Sequence, residues 1–349
     1  MSTRLPMRVT LAAMKYDYGR KDRGLSFEYY NLYLALQEVF ERVDLFDFAS
    51  AYHDDGKAEM NRSLLEFVRR ERPDLTIFAL FQDEFVPEMI DSLRQYTTTL
   101  AYFFDDSWRQ SYALFWAPHF DYFTTTSTSA LRYYRDLGMT NGLFSPLGYN
   151  HTLYVRRSLP KLYDVSFVGS FHGHRDWMIR KLRKAGLNVS VWGVGWPAGR
   201  LSQDAMIDVF NQTRICLTLS NSLNLDARYL LESPRWALTD LRHCRKTKEQ
   251  IKGRHFEISG CGSLQMSYYV EDLEHCYEIG KEILVFADVD DLIDKIRYYL
   301  KHQDERESIA EAGWQRAAND HSIARRFADI VEQIGGPEHL KVAAPPGAA

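Results

Sequence analysis

Residues 252–267 read KGRHFEISGCGSLQMS, with three glycines, a glutamate, a lysine and an arginine among mostly apolar or small residues. The stretch fits one short helix over 252–260, stopped at Gly262, and a strand over 263–267. Gly260 and Gly262 are poor helix formers, so their use points to close backbone approach rather than to local propensity. Glu257 falls early in that helix, where a carboxylate can accept two vicinal hydroxyls of a sugar ring. Lys252 and Arg254 stand at the helix start, where a diphosphate gains both from their charge and from free amides.

Working outward, helix and strand alternate through most of the chain. In the first half, strands are predicted over 8–14, 43–48, 75–80, 98–104 and 121–126. Helices are predicted over 27–40, 64–70 and 129–137, the first capped by Ser26. Between about 148 and 163 the pattern lapses into the polar GYNHTLYVRRSLPKLY. It resumes with strands over 164–168, 189–192, 214–219 and 283–286. Helices over 175–184, 202–211, 291–300, 305–317 and 322–334 alternate with them. Such alternation implies parallel sheets covered on both faces. The expected fold is α/β, with two doubly wound Rossmann-like domains facing a central cleft. Residues 1–155 form the first domain, 156–335 the second, and 336–349 a disordered tail.

Composition narrows the class. The 349 residues are 45% hydrophobic and 26% charged, as in an ordinary globular protein, with a net charge of -4. That charge argues against nucleic acid or an anionic membrane as the main partner. No run of eighteen apolar residues is present to form a transmembrane helix, and the start does not fit a signal peptide. Cys216, Cys244, Cys261 and Cys276 lie too far apart for zinc spacing, so they read as free thiols of a reducing, cytoplasmic compartment, with no metal site.

Ligands of open α/β sheets bind where strands end and loops lead into helices. Three further loops of the second half qualify. In VSFVGSFHGHRDW (165–177), Gly169 and Ser170 follow a strand, and His174 and Arg175 open a helix. Backbone amides with Arg175 suit a phosphate, the alternative being a plain turn with a solvated arginine. VWGVGW (191–196) is half of a dinucleotide fingerprint, with Gly193 and Trp196 admitting a flat base. TLSNS (218–222) offers hydroxyls, Ser220 among them, either to a ligand or to loop amides.

The run from Lys252 to Phe327 resembles the carboxyl half of GT-B glycosyltransferases, nearest the spore-maturation CgeB-like group. The resemblance is carried by RHFEISGCG, Gly280 to Glu282, DLIDKIRYYL and RESIAEAGWQRAANDHSIARRF, where Gly313, Arg316, His321 and Arg326 match. FFDDSW, HFDYFTTTS, YYRDLG and PLGYN extend it into the first half. It implies a hexosyltransferase-like transfer from a nucleotide-diphosphate sugar, a UDP-sugar foremost, to a hydroxyl-bearing acceptor. It further implies no obligatory metal, no other cofactor and a retained configuration. Glu257 then matches the second glutamate of a Glu-x7-Glu motif, which holds the donor ribose, and Glu249 the first, nearer the sugar. Arg175, with Lys252 or Arg254, neutralises the leaving diphosphate. The first domain binds the acceptor, and Asp105 and Asp106, not separable here, end an apolar strand where a general base belongs. Their bland reading is a solvated pair that caps the next helix. A sugar-nucleotide epimerase and a catalytically silent nucleotide-sugar-binding protein are the alternatives.

Overall fold

The computed structural model describes residues 4–220, 226–243, 246 and 248–340. Apolar runs too short for helices become the interior strands. Leu75-Thr-Ile-Phe78, for instance, is buried at every position, because a parallel strand has no solvent face. The first sheet holds six strands: β1 (Leu5–Ala13), β2 (Phe40–Asp47), β3 (Leu75–Phe78), β4 (Thr98–Tyr102), β5 (Tyr122–Thr125) and β6 (Gly142–Phe144). Their order is β2-β1-β3-β4-β5-β6, and every pairing is parallel. The second sheet holds β7 (Tyr163–Val168), β8 (Val189–Trp192), β9 (Thr213–Thr218), β10 (Leu264–Tyr268) and β11 (Leu284–Phe286). Its order is β11-β10-β9-β7-β8, again all parallel.

Each sheet has its own core. In the second, the helix Gly173–Lys184 turns Trp177, Met178, Ile179 and Leu182 inward, onto Val165 and Phe167 of β7 and Ile215 of β9. In the first, Met60, Leu64 and Val68 of the helix Phe48–Glu71 pack with Phe78 of β3 and Phe85. The helical stretch begins sixteen residues before the expected 64, where Asp47 accepts the Ser50 amide as its N-cap, and it is kinked at Gly56, whose φ of 81° is not helical. Where one helix over 27–40 was expected, a six-residue π-helix (Glu28–Tyr33) runs into a single turn, Leu34–Leu36. The helices Pro87–Leu93, Gln110–Trp116, Ala227–Glu232 and Pro234–His243, and strand β6, were not foreseen.

The two compact units are Met1–Asn150 with the stretch from Ile323 onward, and His151–Ser322. The expected second domain of 156–335 is therefore corrected at its end. The helix Ile323–Gln333 packs with the first unit, stacking Phe327 on Tyr102 with ring centroids 5.3 Å apart. The Ile323 amide also donates to Tyr149 O at 2.9 Å. Part of the expected disordered tail is ordered too: Pro337–His339 form a 3-10 turn and Leu340 is buried, while 341–349 lie outside the described residues. Cys216, Cys261 and Cys276 are buried, and Cys244 lies outside the described residues. Among the described residues no helix is long and apolar enough to cross a membrane.

Candidate active site

In the second unit, the predicted site residues gather at the carboxyl ends of β7, β8 and β9. Gly169 and Ser170 follow β7 directly, and Arg175 lies in the first turn of the helix Gly173–Lys184. Arg175 Nε donates to Leu219 O at 2.8 Å and Nη1 to Ser170 O at 2.9 Å, so one side chain ties the ends of β7 and β9 together. Burial lowers its pKa to about 10, with Glu249 opposing the shift and Arg254 adding to it. Arg175 thus feels the charges of Glu249 and Arg254, up to 79 residues away in sequence. Ser220 sits at the end of β9 with its hydroxyl buried and no hydrogen-bond partner among the described residues. Residues 221 and 222 of the same loop lie outside the described residues.

The stretch at 252–267 folds nearly as predicted, as the helix Arg254–Gly260 followed by β10. Gly262 has a φ of 73°, the left-handed conformation that ends a helix, and a Cβ there would lie 2.2 Å from Arg156 Nε. Glu257 is 2% exposed, and both its oxygens are engaged. Tyr154 donates to Oε1 at 2.8 Å and Arg254 Nη1 to Oε2 at 2.6 Å. The carboxylate therefore sits inside the unit, with Tyr154 and Arg254 among the groups that hold it. The Lys252 amide, expected to be free for a diphosphate, donates instead to His255 Nδ1 at 3.0 Å. His255 is buried beneath the helix with Nε2 2.9 Å from Ser267 Oγ, and desolvation lowers its pKa to about 4.

Other predicted contacts prove to be packing. His174 is fully buried among Trp177, Tyr229 and Tyr268, with ring centroids 5.4, 5.1 and 6.3 Å away. Burial pushes its pKa down to about 4, so it stays neutral inside an aromatic core rather than facing a phosphate. Trp196 does not stand open beside a base. Its Nε1 donates to Gly169 O at 2.9 Å and its ring packs edge-on to Phe171. Gly193 has a φ of 140°, and a Cβ there would lie 2.0 Å from the same Gly169 carbonyl. The glycines of VWGVGW thus let two strand-end loops touch, which is a packing use of a sequence resembling a phosphate loop.

The first unit separates the two aspartates. Asp106 is buried, accepting from Thr125 Oγ and, at 3.2 Å, from Tyr134 OH; burial raises its pKa to about 6. It braces β4 against β5 and the helix Thr128–Asp136. Asp105 is only half-buried, and its charge, after burial and together with Asp17 and Glu28, helps raise the pKa of the Tyr18 hydroxyl. Glu28, at the start of the π-helix, went unnoticed in the sequence; burial raises its pKa to about 7. Tyr154, the partner of Glu257, was missed as well. Its 103-residue separation from Glu257, inside the polar stretch where the helix–strand pattern lapses, leaves no local signal. Among the described residues no three His, Cys, Asp or Glu side chains come together as metal ligands.

Comparison with known proteins bears on the fold and on the sequence pattern of the second unit. Residues 175–332, just under half of the chain, match the family described as glycosyl transferase-like. No curated protein matches the chain by sequence. Solved structures match it in fold. One is HepE of Anabaena in complex with UDP and glucose, with a TM-score of 0.60 at 9% identity, covering 94% of this chain and 99% of that one. Another is sucrose-phosphate synthase of Thermosynechococcus elongatus, with a TM-score of 0.62 at 11% identity and the same coverages, 94% and 99%. A third is a glycosyltransferase of Rickettsia africae, with a TM-score of 0.63 at 10% identity, covering 96% and 99%. The chain thus has the two-sheet fold of the GT-B glycosyltransferases and, through most of its second unit, the sequence pattern of a glycosyl transferase-like family.

Proposed function

We propose that the protein transfers a hexose from a UDP-sugar, held by the second unit, to an acceptor hydroxyl bound by the first, with retention of configuration. The observation that carries this reading is the gathering of Arg175, Glu249, Arg254 and Glu257 at the strand ends, within or beside the family-matched segment. A nucleoside diphosphate asks for cations near its phosphates and an acceptor for its ribose hydroxyls. Arg175 uses two of its N–H groups on carbonyls, leaving three to meet a phosphate. Glu257 is held rigidly enough to receive ribose hydroxyls without reorganising. Ser220 offers its hydroxyl to the same ligand. Charge developing on the leaving diphosphate falls to Arg175 and Arg254, and no metal enters the scheme. Glu249, close enough to Arg175 to shift its titration, is the carboxylate assigned to the sugar side, and retention rests on it. On the acceptor side, Asp105 orients the hydroxyl, and Glu28, with a pKa near 7, is suited to take its proton. Asp106, consumed in bracing β4, is not part of the chemistry.

Melting the full chain with UDP, ADP and GDP tests the donor site, because a ligand of the native state stabilises it by mass action. UDP is expected to raise the melting temperature most; no shift with any of the three rejects the donor assignment. Incubation with UDP-glucose then separates chemistries. Sugar transfer with UDP release supports transfer, whereas an isomerised UDP-sugar without UDP release means epimerisation.

A further inference from the structure

A pocket of about 520 Å³ opens in the first unit beside the carboxyl ends of β1 and β2. That is room for a ring-sized ligand. Its apolar wall is aromatic: Tyr16, Tyr29, Tyr33 and Phe67. Tyr29 and Tyr33, on the π-helix, are half-buried and stand with ring centroids 5.3 Å apart, so each keeps surface to offer. Lys15 and Lys21 complete the wall, their ammonium groups 5.6 and 5.9 Å from the centroid of the same Tyr16 ring. The loop between them is anchored, since Tyr16 bridges Leu25 and the Asp17 amide donates to Gly24 O at 3.0 Å. Lys21 is thereby folded back over Tyr16.

The charges around the pocket are unevenly spent. Asp44 pairs with Arg42 at 3.0 Å. Asp47 caps the helix Phe48–Glu71 and accepts from the Lys15 amide at 3.1 Å. Neither lysine has an ion-pair partner among the described residues. Two cations are therefore left over one aromatic ring while the nearby carboxylates are engaged elsewhere. A pyranose has an apolar C–H face and a rim of hydroxyls, which suits tyrosine faces and phenol hydroxyls. An anionic substituent on it suits the lysine pair. We propose that this pocket receives the acceptor, and that the acceptor is a sugar carrying an anionic group, phosphate or carboxylate. The inference rests on the transferase reading above.

The test is calorimetric titration of the full chain with glucose 6-phosphate, glucuronate, glucose and inorganic phosphate, with UDP titrated in parallel. At least one anionic sugar is expected to bind tenfold or more tighter than glucose and than inorganic phosphate, and to raise UDP release from UDP-glucose. The Lys15→Met/Lys21→Met double variant, altered only at the pocket rim, should lose that tenfold while its UDP affinity stays within twofold of the parent's. Glucose binding as well as the anionic sugars overturns the charge assignment. Inorganic phosphate binding as well as glucose 6-phosphate overturns the sugar. An anionic sugar that binds without stimulating UDP release overturns the acceptor role, and no binding by either rejects the pocket. Sugar binding without UDP binding would leave the pocket standing and strike down the donor site instead, so the two failures are distinguishable.

Discussion

At the scale of single residues, the consequence of folding is that like side chains acquire unlike roles. Asp105 and Asp106 are adjacent in sequence, yet Asp106 is sequestered beneath Thr125 and Tyr134 while Asp105 keeps partial exposure. The native state holds the Asp106 proton more tightly than the unfolded chain does, raising its pKa from 3.8 to about 6. Its contribution to stability therefore falls as pH rises from about 4 to 6, by about 3 kcal/mol at most. Asp106→Asn has no such titration. Urea denaturation at pH 4, 5, 6 and 7 should show the variant gaining on the parent as pH rises. A constant difference would mean that the carboxyl titrates normally. Tyr154→Phe tests the support of Glu257. Removing a buried donor from a carboxylate costs about 1–3 kcal/mol, read as a lower urea midpoint at unchanged slope. If Tyr154 also positions Glu257 for a ribose, UDP affinity drops several-fold in the same variant. Unchanged affinity would make Tyr154 structural only.

At the scale of elements, the loops at the strand ends owe their shape to backbone contact. Gly193 lets the turn after β8 lie on the Gly169 carbonyl, and neither backbone has room to yield. Gly193→Ala is expected to destabilise by more than about 2 kcal/mol, since it combines steric overlap with an unfavourable φ. Gly199, in the same turn, also has a positive φ, 70°, but open space around it. Gly199→Ala should cost only about 1 kcal/mol, the conformational part. Chemical denaturation of the pair separates collision from strain, and equal losses would refute the packing account. The π-helix Glu28–Tyr33 has the opposite character: it brings Glu28, Tyr29 and Tyr33 to the strand ends of the first unit at positions where an ordinary helix was expected.

At the scale of the whole molecule, the chain leaves the first unit at His151 and returns to it at Ile323. The last helix buries Ile323, Phe327, Ile330 and Val331 there. A chain ending at Ser322 loses those side chains from the first core, each worth about 1.5–3 kcal/mol, and should lose the folded first unit. Limited proteolysis is expected to degrade residues 1–150 in that truncation while the second unit survives. Resistance of both units would show that the helix is dispensable. The closing helix was predicted to belong to the domain that precedes it, because sequence order carries no record of which core an amphipathic face will meet.

What could be read without coordinates was whatever depends on local periodicity. Ten of the eleven strands among the described residues, the alternation that makes both sheets parallel, and the helix–glycine–strand order of 252–267 follow from where apolar side chains recur and where glycine interrupts them. Arg175, Arg254 and Glu257 were singled out because each sits beside a strand end or a helix start, and Glu249 only because the family resemblance pairs it with Glu257. What only the tertiary structure decided is which of the candidates are spent on the fold. His174 and Trp196 went into aromatic packing, Asp106 into bracing two strands, Gly193 into a carbonyl contact and Gly195 into packing on Phe171. Glu257 acquired Tyr154, Lys15 and Lys21 were left over one ring, and the last helix crossed back to the first unit. Each of these depends on neighbours tens to hundreds of residues away, and burial by such neighbours, not the identity of the residue, sets whether a polar group is a structural partner or is left to meet a ligand.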